Sequence, residues 1–223
     1  MSEDNFVDNL RKLCSKNDKV AYANNKVTLI TYEERHVKTY HGWMLDEETR
    51  RLTCSELMTL DEEYDTRKQW AKHEYSGTFL IMDSDKFVSS NGSELDALVG
   101  DTNFVQYVEY VELLIMIGDK ECRQKGLATD AVRLMISHIS NFLNNRVIQA
   151  SVCHDNIACI KLLEKLGFEE QPDKEASDDK VFVLSNEKRL EILATTSQTN
   201  LYTNEIYVKS LLDRSRDYYK SLQ

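Results

Sequence analysis

Arg123-Gln124-Lys125-Gly126-Leu127-Ala128 lies directly after an apolar run, Val108 to Ile117, and opens a long run of helical periodicity, Gly126 to about Leu143. A strand that passes into a helix presents unpaired backbone N–H groups and the positive end of the helix dipole to whatever lies before it. Such a junction is a ready-made anion site. Lys120, Arg123 and Lys125 concentrate positive charge there, in a chain whose formal net charge is -10. A basic loop in an acidic protein points to a small pyrophosphate-bearing ligand. It does not point to a nucleic acid, which requires Lys and Arg spread over a face.

Around that junction, 223 residues with 41% hydrophobic and 30% charged content suffice for one buried core. There is one proline, Pro172, and no Gly/Ser-rich linker. The expected layout is an N-terminal arm over 1–25, one domain over 26–196 and a helical tail over 197–223. No stretch approaches the roughly 18 apolar residues of a membrane span. Met1-Ser2-Glu3-Asp4-Asn5 lacks the pattern of a signal peptide. A cytoplasmic protein is expected, with the nucleus as the alternative, and neither membrane nor nucleic acid as a partner. Cys14, Cys54, Cys122, Cys153 and Cys159 are scattered and form no C-x-x-C pair, so reduced, packed thiols are expected. A zinc site from Cys153, His154 and Cys159 lacks a fourth ligand nearby, so no metal is expected. A reactive thiolate at Cys122 or Cys153 is the alternative, with Cys122 near basic neighbours that would lower its pKa.

Periodicity supplies the remaining elements. Lys26 to Tyr32, Gly77 to Met82, Ala97 to Val105, Val108 to Ile117 and Arg146 to Cys153 read as strands. Glu34 to about Arg51 reads as one helix, and Thr59 with Glu62 is a capping box that opens a second through Trp70. Asp83 to Asp96 reads as a polar loop, Asn156 to Leu166 as a helix closed by Gly167, and Lys180 to Leu184 with Leu190 to Ala194 as a closing strand pair. Helices packed on a mixed sheet, an α/β fold, follow from this order.

No Gly-x-x-x-x-Gly-Lys-Ser/Thr and no Gly-x-Gly-x-x-Gly is present. Instead, Val111-Glu-Leu-Leu-Ile-Met-Ile117 precedes the basic junction, and Asn156-Ile-Ala-Cys-Ile-Lys-Leu-Leu-Glu-Lys-Leu-Gly-Phe168 follows one strand later. With these blocks the chain resembles the GNAT superfamily of N-acetyltransferases over about Lys26 to Ala194. It is most similar to the branch that acetylates protein amino groups, and within it to the N-acetyltransferase 9-like group. Arg51-Leu-Thr-Cys-Ser-Glu56, Thr59-Leu-Asp-Glu-Glu-Tyr64, Val99-Gly-Asp-Thr-Asn-Phe104 and Cys122-Arg-Gln-Lys-Gly126 carry the narrower match.

The resemblance implies the GNAT fold, with acetyl-CoA as co-substrate between two splayed parallel strands, Val108–Ile117 and Arg146–Cys153. It implies that Gln124, Lys125, Gly126, Leu127, Ala128 and Thr129 hold the pyrophosphate through their amides, beside Arg123. Ile115 and Ile117 would pair their main chain with pantetheine, and Asn156 would bond its amide, with a plain helix cap as the alternative. Unpaired strand edges suit a pantetheine arm on physical grounds as well. The implied activity is acetyl transfer to a protein or peptide amine, an N-terminal α-amine or a lysine. The alternative is an acyl-CoA-binding protein that acts through partners docked by the tail.

Acetyl transfer requires a neutral amine, a polarised carbonyl and a departing thiol. Glu112, embedded in the strand that flanks the cleft, is the candidate general base; a solvated glutamate is the alternative, and Glu109 is the reserve. Many superfamily members carry a tyrosine acid seven residues after the Asn, where this chain has Leu163. Tyr107, Tyr110 and His154 are the other candidate donors. His138 falls on the apolar side of its helix and reads as a core residue. His36, His41 and His73 read as surface residues. Asp46–Glu48 and Asp61–Glu63 read as solvated helix faces, or as an acidic lip that attracts a positively charged acceptor.

Overall fold

The computed structural model describes residues 21–142, 146–172 and 179–196. The arm before Ala21 and the tail from 197 onward lie outside them. Among the described residues the sheet has eight strands: β1 (Ala21–Ala23), β2 (Val27–Thr31), β3 (Ser76–Asp83), β4 (Leu98–Gln106), β5 (Tyr110–Ile117), β6 (Val147–Cys153), β7 (Phe168–Glu170) and β8 (Asp179–Leu184). Their spatial order is β1-β2-β3-β4-β5-β6-β8-β7. Only the β5–β6 pair is parallel; the rest are antiparallel. The expected mixed sheet is therefore present, and it begins at Ala21, ahead of the expected boundary at Lys26.

The described helices are α1 (Val37–Met44), α2 (Glu47–Leu52), α3 (Leu60–Trp70), α4 (Ser84–Ser89), α5 (Glu94–Ala97), α6 (Leu127–Phe142), α7 (Ile157–Leu166) and α8 (Asn186–Thr196). The α6 stripe Leu127, Ala131, Leu134, Met135 and Ile139 is buried against one sheet face, with Val111, Leu113, Ile148 and Ala150. The larger of these side chains each contribute roughly 1.5–3 kcal/mol through burial. Ile160, Leu163 and Leu166 of α7 and Ile192 of α8 complete this layer. The other face carries a second core, where Val37, Tyr40 and Met44 of α1 meet Ile30, Leu80, Met82 and Met116.

Three elements differ from the sequence-based expectation. The single helix over Glu34–Arg51 is divided: a 3-10 turn and α1 end at Met44, and the Asp46 side chain accepts from Thr49 N–H to start α2 afresh. The expected loop over Asp83–Asp96 holds α4 and α5, capped by Asp83 and Ser93. Leu190–Ala194 is part of helix α8, and the strand on the outer side of β8, away from β6, is β7. Alternation was a poor guide there because Leu190 is exposed while Arg189 and Ile192 face inward.

Candidate active site

β5 and β6 pair only at Tyr110–Val147, Val111–Ile148 and Glu112–Gln149. Beyond those residues they diverge, because β5 stays on β4 through Ile117 while β6 stays on β8 through Cys153. The divergence opens the expected slot. Tyr107 N–H donates to the Tyr110 carbonyl and Thr102 Oγ1 to the Leu114 carbonyl, so even-numbered residues of β5 turn their main chain toward β4. Strand alternation then turns the main chain of Leu113, Ile115 and Ile117 into the slot. The Ile117 carbonyl accepts from Arg123 Nε at 3.0 Å.

The head of α6 closes the wide end of the slot. Gln124 and Gly126 both lie at positive φ, 62° and 83°. This tight reversal is why the second position suits glycine. Among the described residues, none accepts a hydrogen bond from the N–H groups of Gln124 to Thr129; the first helical bond is Asp130 N–H to the Gly126 carbonyl. The donors of this turn are thus free among the described residues. A Cβ on Gly126 would have only Lys26 Nζ near it, at 3.6 Å. Lys26, held on α6 through Asp130 at 3.8 Å, therefore stands beside this turn although no local pattern singled it out.

The cationic side chains are arranged differently from the expectation. Arg123 turns away from the loop toward α2, donating to Thr49 Oγ1 at 3.0 Å with Glu48 at 3.6 Å. Lys120 pairs with Asp46 at 2.8 Å and Glu48 at 3.3 Å. Lys125 has no ion-pair partner among the described residues and is exposed. The acidic run Asp46–Glu48 is therefore a strap over the basic mouth, neither a bare solvated face nor a free lip.

That strap crosses to the other side of the slot. Asn156 accepts from Cys159 N–H at 3.1 Å, as a cap must, and donates through Nδ2 to the Leu52 carbonyl at 3.0 Å. Arg51 pairs with Asp155. Cys54, at φ 50°, is joined to Cys153 by a disulfide across 99 residues. This corrects the expectation of uniformly reduced, scattered thiols: the fold brings β6 and the turn after α2 together, which spacing alone does not show. Cys122 is no reactive thiolate, since burial and then Asp119 push its thiol up to about 11. Cys159 is likewise raised to about 11 by burial.

Glu112 shares a β5 face with Leu114 and Met116, toward α1 and α3 and away from α6. It lies where β5 and β6 still touch, close to Tyr107, whose hydroxyl is raised chiefly by burial and next by the Glu112 charge. Tyr107 stacks on Tyr110 at 4.7 Å. A carboxylate and a phenol thus meet at the closed end of the slot. His154 is exposed, and Leu163 is fully buried, so its position offers packing and no proton.

The remaining sequence expectations divide. His138 is a core residue: Nδ1 lies 2.6 Å from the Tyr22 hydroxyl, and burial lowers its pKa to about 4. His36 is no surface residue but fully buried, with Nε2 2.6 Å from Glu94. Glu63, expected on a solvated face, is buried with His41 Nδ1 3.9 Å away, and burial raises its pKa. The α3 capping box is present as expected.

The model of the acetyltransferase (GNAT) domain matches residues 26–169. An N-acetyltransferase 9-like protein of Nematostella vectensis is 33% identical over 156 residues, which cover 68% of this chain and 79% of that protein. The human alpha/beta-tubulin-N-acetyltransferase 9 is 36% identical over 151 residues, 65% of this chain and 73% of that protein. Among solved structures, the spermidine N-acetyltransferase of Vibrio cholerae in complex with CoA and spermine superposes with a TM-score of 0.63 at 20% identity, covering 75% of this chain and 99% of that one. At that identity the likeness bears on the fold. The splayed strands, the free amides at the head of α6 and the match over 26–169 agree, and the chain belongs to the GNAT family of N-acetyltransferases.

Proposed function

We propose that this protein transfers the acetyl group of acetyl-CoA directly to an amino group of a protein. The observation that carries the reading is the slot between β5 and β6, which leads from the main chain of Ile115, past the last β5–β6 pair, to the free amides of Gln124–Thr129. The amides suit a pyrophosphate, and Lys26 and Lys125 add charge beside it. The edges of β5 and β6 suit a pantetheine arm, which can bond like an added strand. The relative named for alpha/beta-tubulin acetylation supports a protein amine as acceptor.

In this reading Glu112 takes the proton released as the amine attacks, directly or through water. An α-amine, with an unperturbed pKa near 8, demands less of that base than a lysine near 10.4. The C–S bond then breaks and the electron pair leaves on sulfur. With Leu163 in the core, Tyr107 beside Glu112 is the donor nearest the closed end of the slot. Asn156 reaches pantetheine only after releasing Leu52, so cofactor entry displaces α2 from α7.

The test is release of free CoA from acetyl-CoA in the presence of a peptide library, with mass spectrometry of the peptides. Transfer above that of a Gly126→Pro/Arg123→Ala control is expected. Absence of transfer with every peptide overturns the reading.

A further inference from the structure

Helix α2 bridges the ends of the two strands that diverge. At its start Asp46 and Glu48 hold Lys120, and Glu48 and Thr49 hold Arg123, both just beyond β5. At its end Arg51 pairs with Asp155 and the Leu52 carbonyl accepts from Asn156, both just beyond β6. These contacts are polar, and the ion pairs among them lie at the surface, where such pairs open readily. The bond between Cys54 and Cys153 is of another kind, because thermal motion does not break it. Cys54 also sits where a cysteine is unusual. It closes α2 at φ 50°, and the next N–H, of Ser55, donates back to the Arg50 carbonyl at 2.9 Å. That left-handed position after a helix favours glycine, because a side chain there strains the backbone.

The two ends of α2 are anchored differently. On the N-terminal side it follows α1, whose Tyr40 and Met44 are buried in the second core. On the C-terminal side residues 55–59 form neither helix nor strand, and Glu56 and Leu57 are exposed. With the sulfur bond intact, α2 is held at both ends. With it cut, the strained turn at Cys54 relaxes, and α2 can swing about Leu45 and carry Leu52 away from Asn156. The bond is also open to attack: Cys54 is exposed and Cys153 half-buried, so a thiolate from solution approaches on the Cys54 side.

We propose that Cys54 and Cys153 form a redox latch on the slot: the disulfide holds α2 across it and slows the exchange of CoA, and reduction releases α2. The latch rests on the transfer reading given above for what the slot takes. In the opening step the thiolate of a dithiol reductant attacks the Cys54 sulfur, the S–S bond breaks, and its electron pair leaves on Cys153, which takes up a proton. The second thiol of the reductant then attacks the mixed disulfide, Cys54 leaves as a thiolate and is protonated, and the reductant is left as a disulfide. Two electrons and two protons have passed to the pair. Exchange with an oxidised dithiol reverses both steps and closes the latch.

The test uses the full chain in two states, oxidised and reduced with a phosphine, with the pair verified by mass spectrometry of the peptides that carry residues 54 and 153. The probe is desulfo-CoA, which has no thiol to exchange with the pair, and surface plasmon resonance reads its association and dissociation. Both rates are expected to be at least fivefold faster in the reduced protein, with faster amide exchange over residues 46–54 and none of that gain in α6. Cys54→Ser and Cys153→Ser should match the reduced protein whether or not phosphine is present. Equal rates in the two states overturn the latch and leave the transfer reading intact, as does failure of the pair to form under an oxidised dithiol. A phosphine effect that persists in both variants also overturns the latch. Absence of desulfo-CoA binding in both states overturns the cofactor reading and the latch with it. The wild-type comparison stands even if a variant fails to fold.

Discussion

The Asn156 side chain is bonded at both ends, its oxygen to Cys159 N–H within α7 and its nitrogen to the Leu52 carbonyl at the end of α2. One residue therefore caps a helix and ties a strap across the slot. Asn156→Ala should cost about 0.5–2 kcal/mol through the cap alone. Urea unfolding measures that loss. Faster amide exchange in Thr49–Thr53 than in α6 would show release of the strap, and unchanged exchange there would contradict it.

Gly126 holds φ +83° with open space where its side chain would be, so conformation and not crowding limits substitution. Gly126→Val forces a β-branched residue into the left-handed region and turns the amide cradle. CoA affinity, measured by calorimetry, should fall at least tenfold.

Lys26 is expected to contribute by charge alone. Lys26→Ala should weaken CoA binding three- to tenfold, with the difference shrinking as salt rises. The Lys26 end of its pair with Asp130 is exposed and Asn24 also holds Asp130, so the melting temperature should stay within a degree or two.

Two buried groups give opposite pH dependences. Burial, partly offset by the Asn103 hydrogen bond and reinforced by Glu63, pushes Asp101 up to about 7 from its ordinary 3.8. The folded protein then binds the extra proton between those values, so the Asp101 contribution declines as pH rises from about 4 through 7. His138 is lowered to about 4 from 6.5 by burial, so its contribution is complete above 6.5 and lost as pH falls toward 4. Asp101→Asn should therefore raise stability at pH 8 by something on the order of 2–4 kcal/mol, and the gain should fade toward pH 4. A constant difference across that range would contradict the assignment.

Glu112→Gln tests the base. A tenfold or greater loss of kcat with unchanged acetyl-CoA binding is expected, because Glu112 faces α1 and α3 and lies away from the amides of α6. Loss of cofactor binding instead would make Glu112 structural.

The junction at Gly126, the strands on either side of the slot and the caps at Thr59 and Asn156 were legible because each depends on residues adjacent in the chain. Helices α4 and α5 were not, since at six and four residues they are shorter than any periodic pattern and rest on the caps at Asp83 and Ser93. The site's tertiary features were equally hidden. Lys26 reaches Gly126 from a position remote in the chain, Cys54 meets Cys153, and Arg123 answers to Glu48 and Thr49 on a helix. Asp101 read as part of an ordinary strand, because only the register against Met116 and Leu80 shows which way it faces.

Asp46 and Glu48 act as resident counterions for Lys120 and Arg123. The Lys120–Arg123 side of the mouth is consequently close to neutral, and a polyanionic thioester arrives there by exchanging places with carboxylates that are already bound. Capture should be slower, and less steeply dependent on ionic strength, than at a bare basic funnel. Stopped-flow association rates across a salt series, with Glu48→Gln as the unmasked comparison, would make that exchange visible.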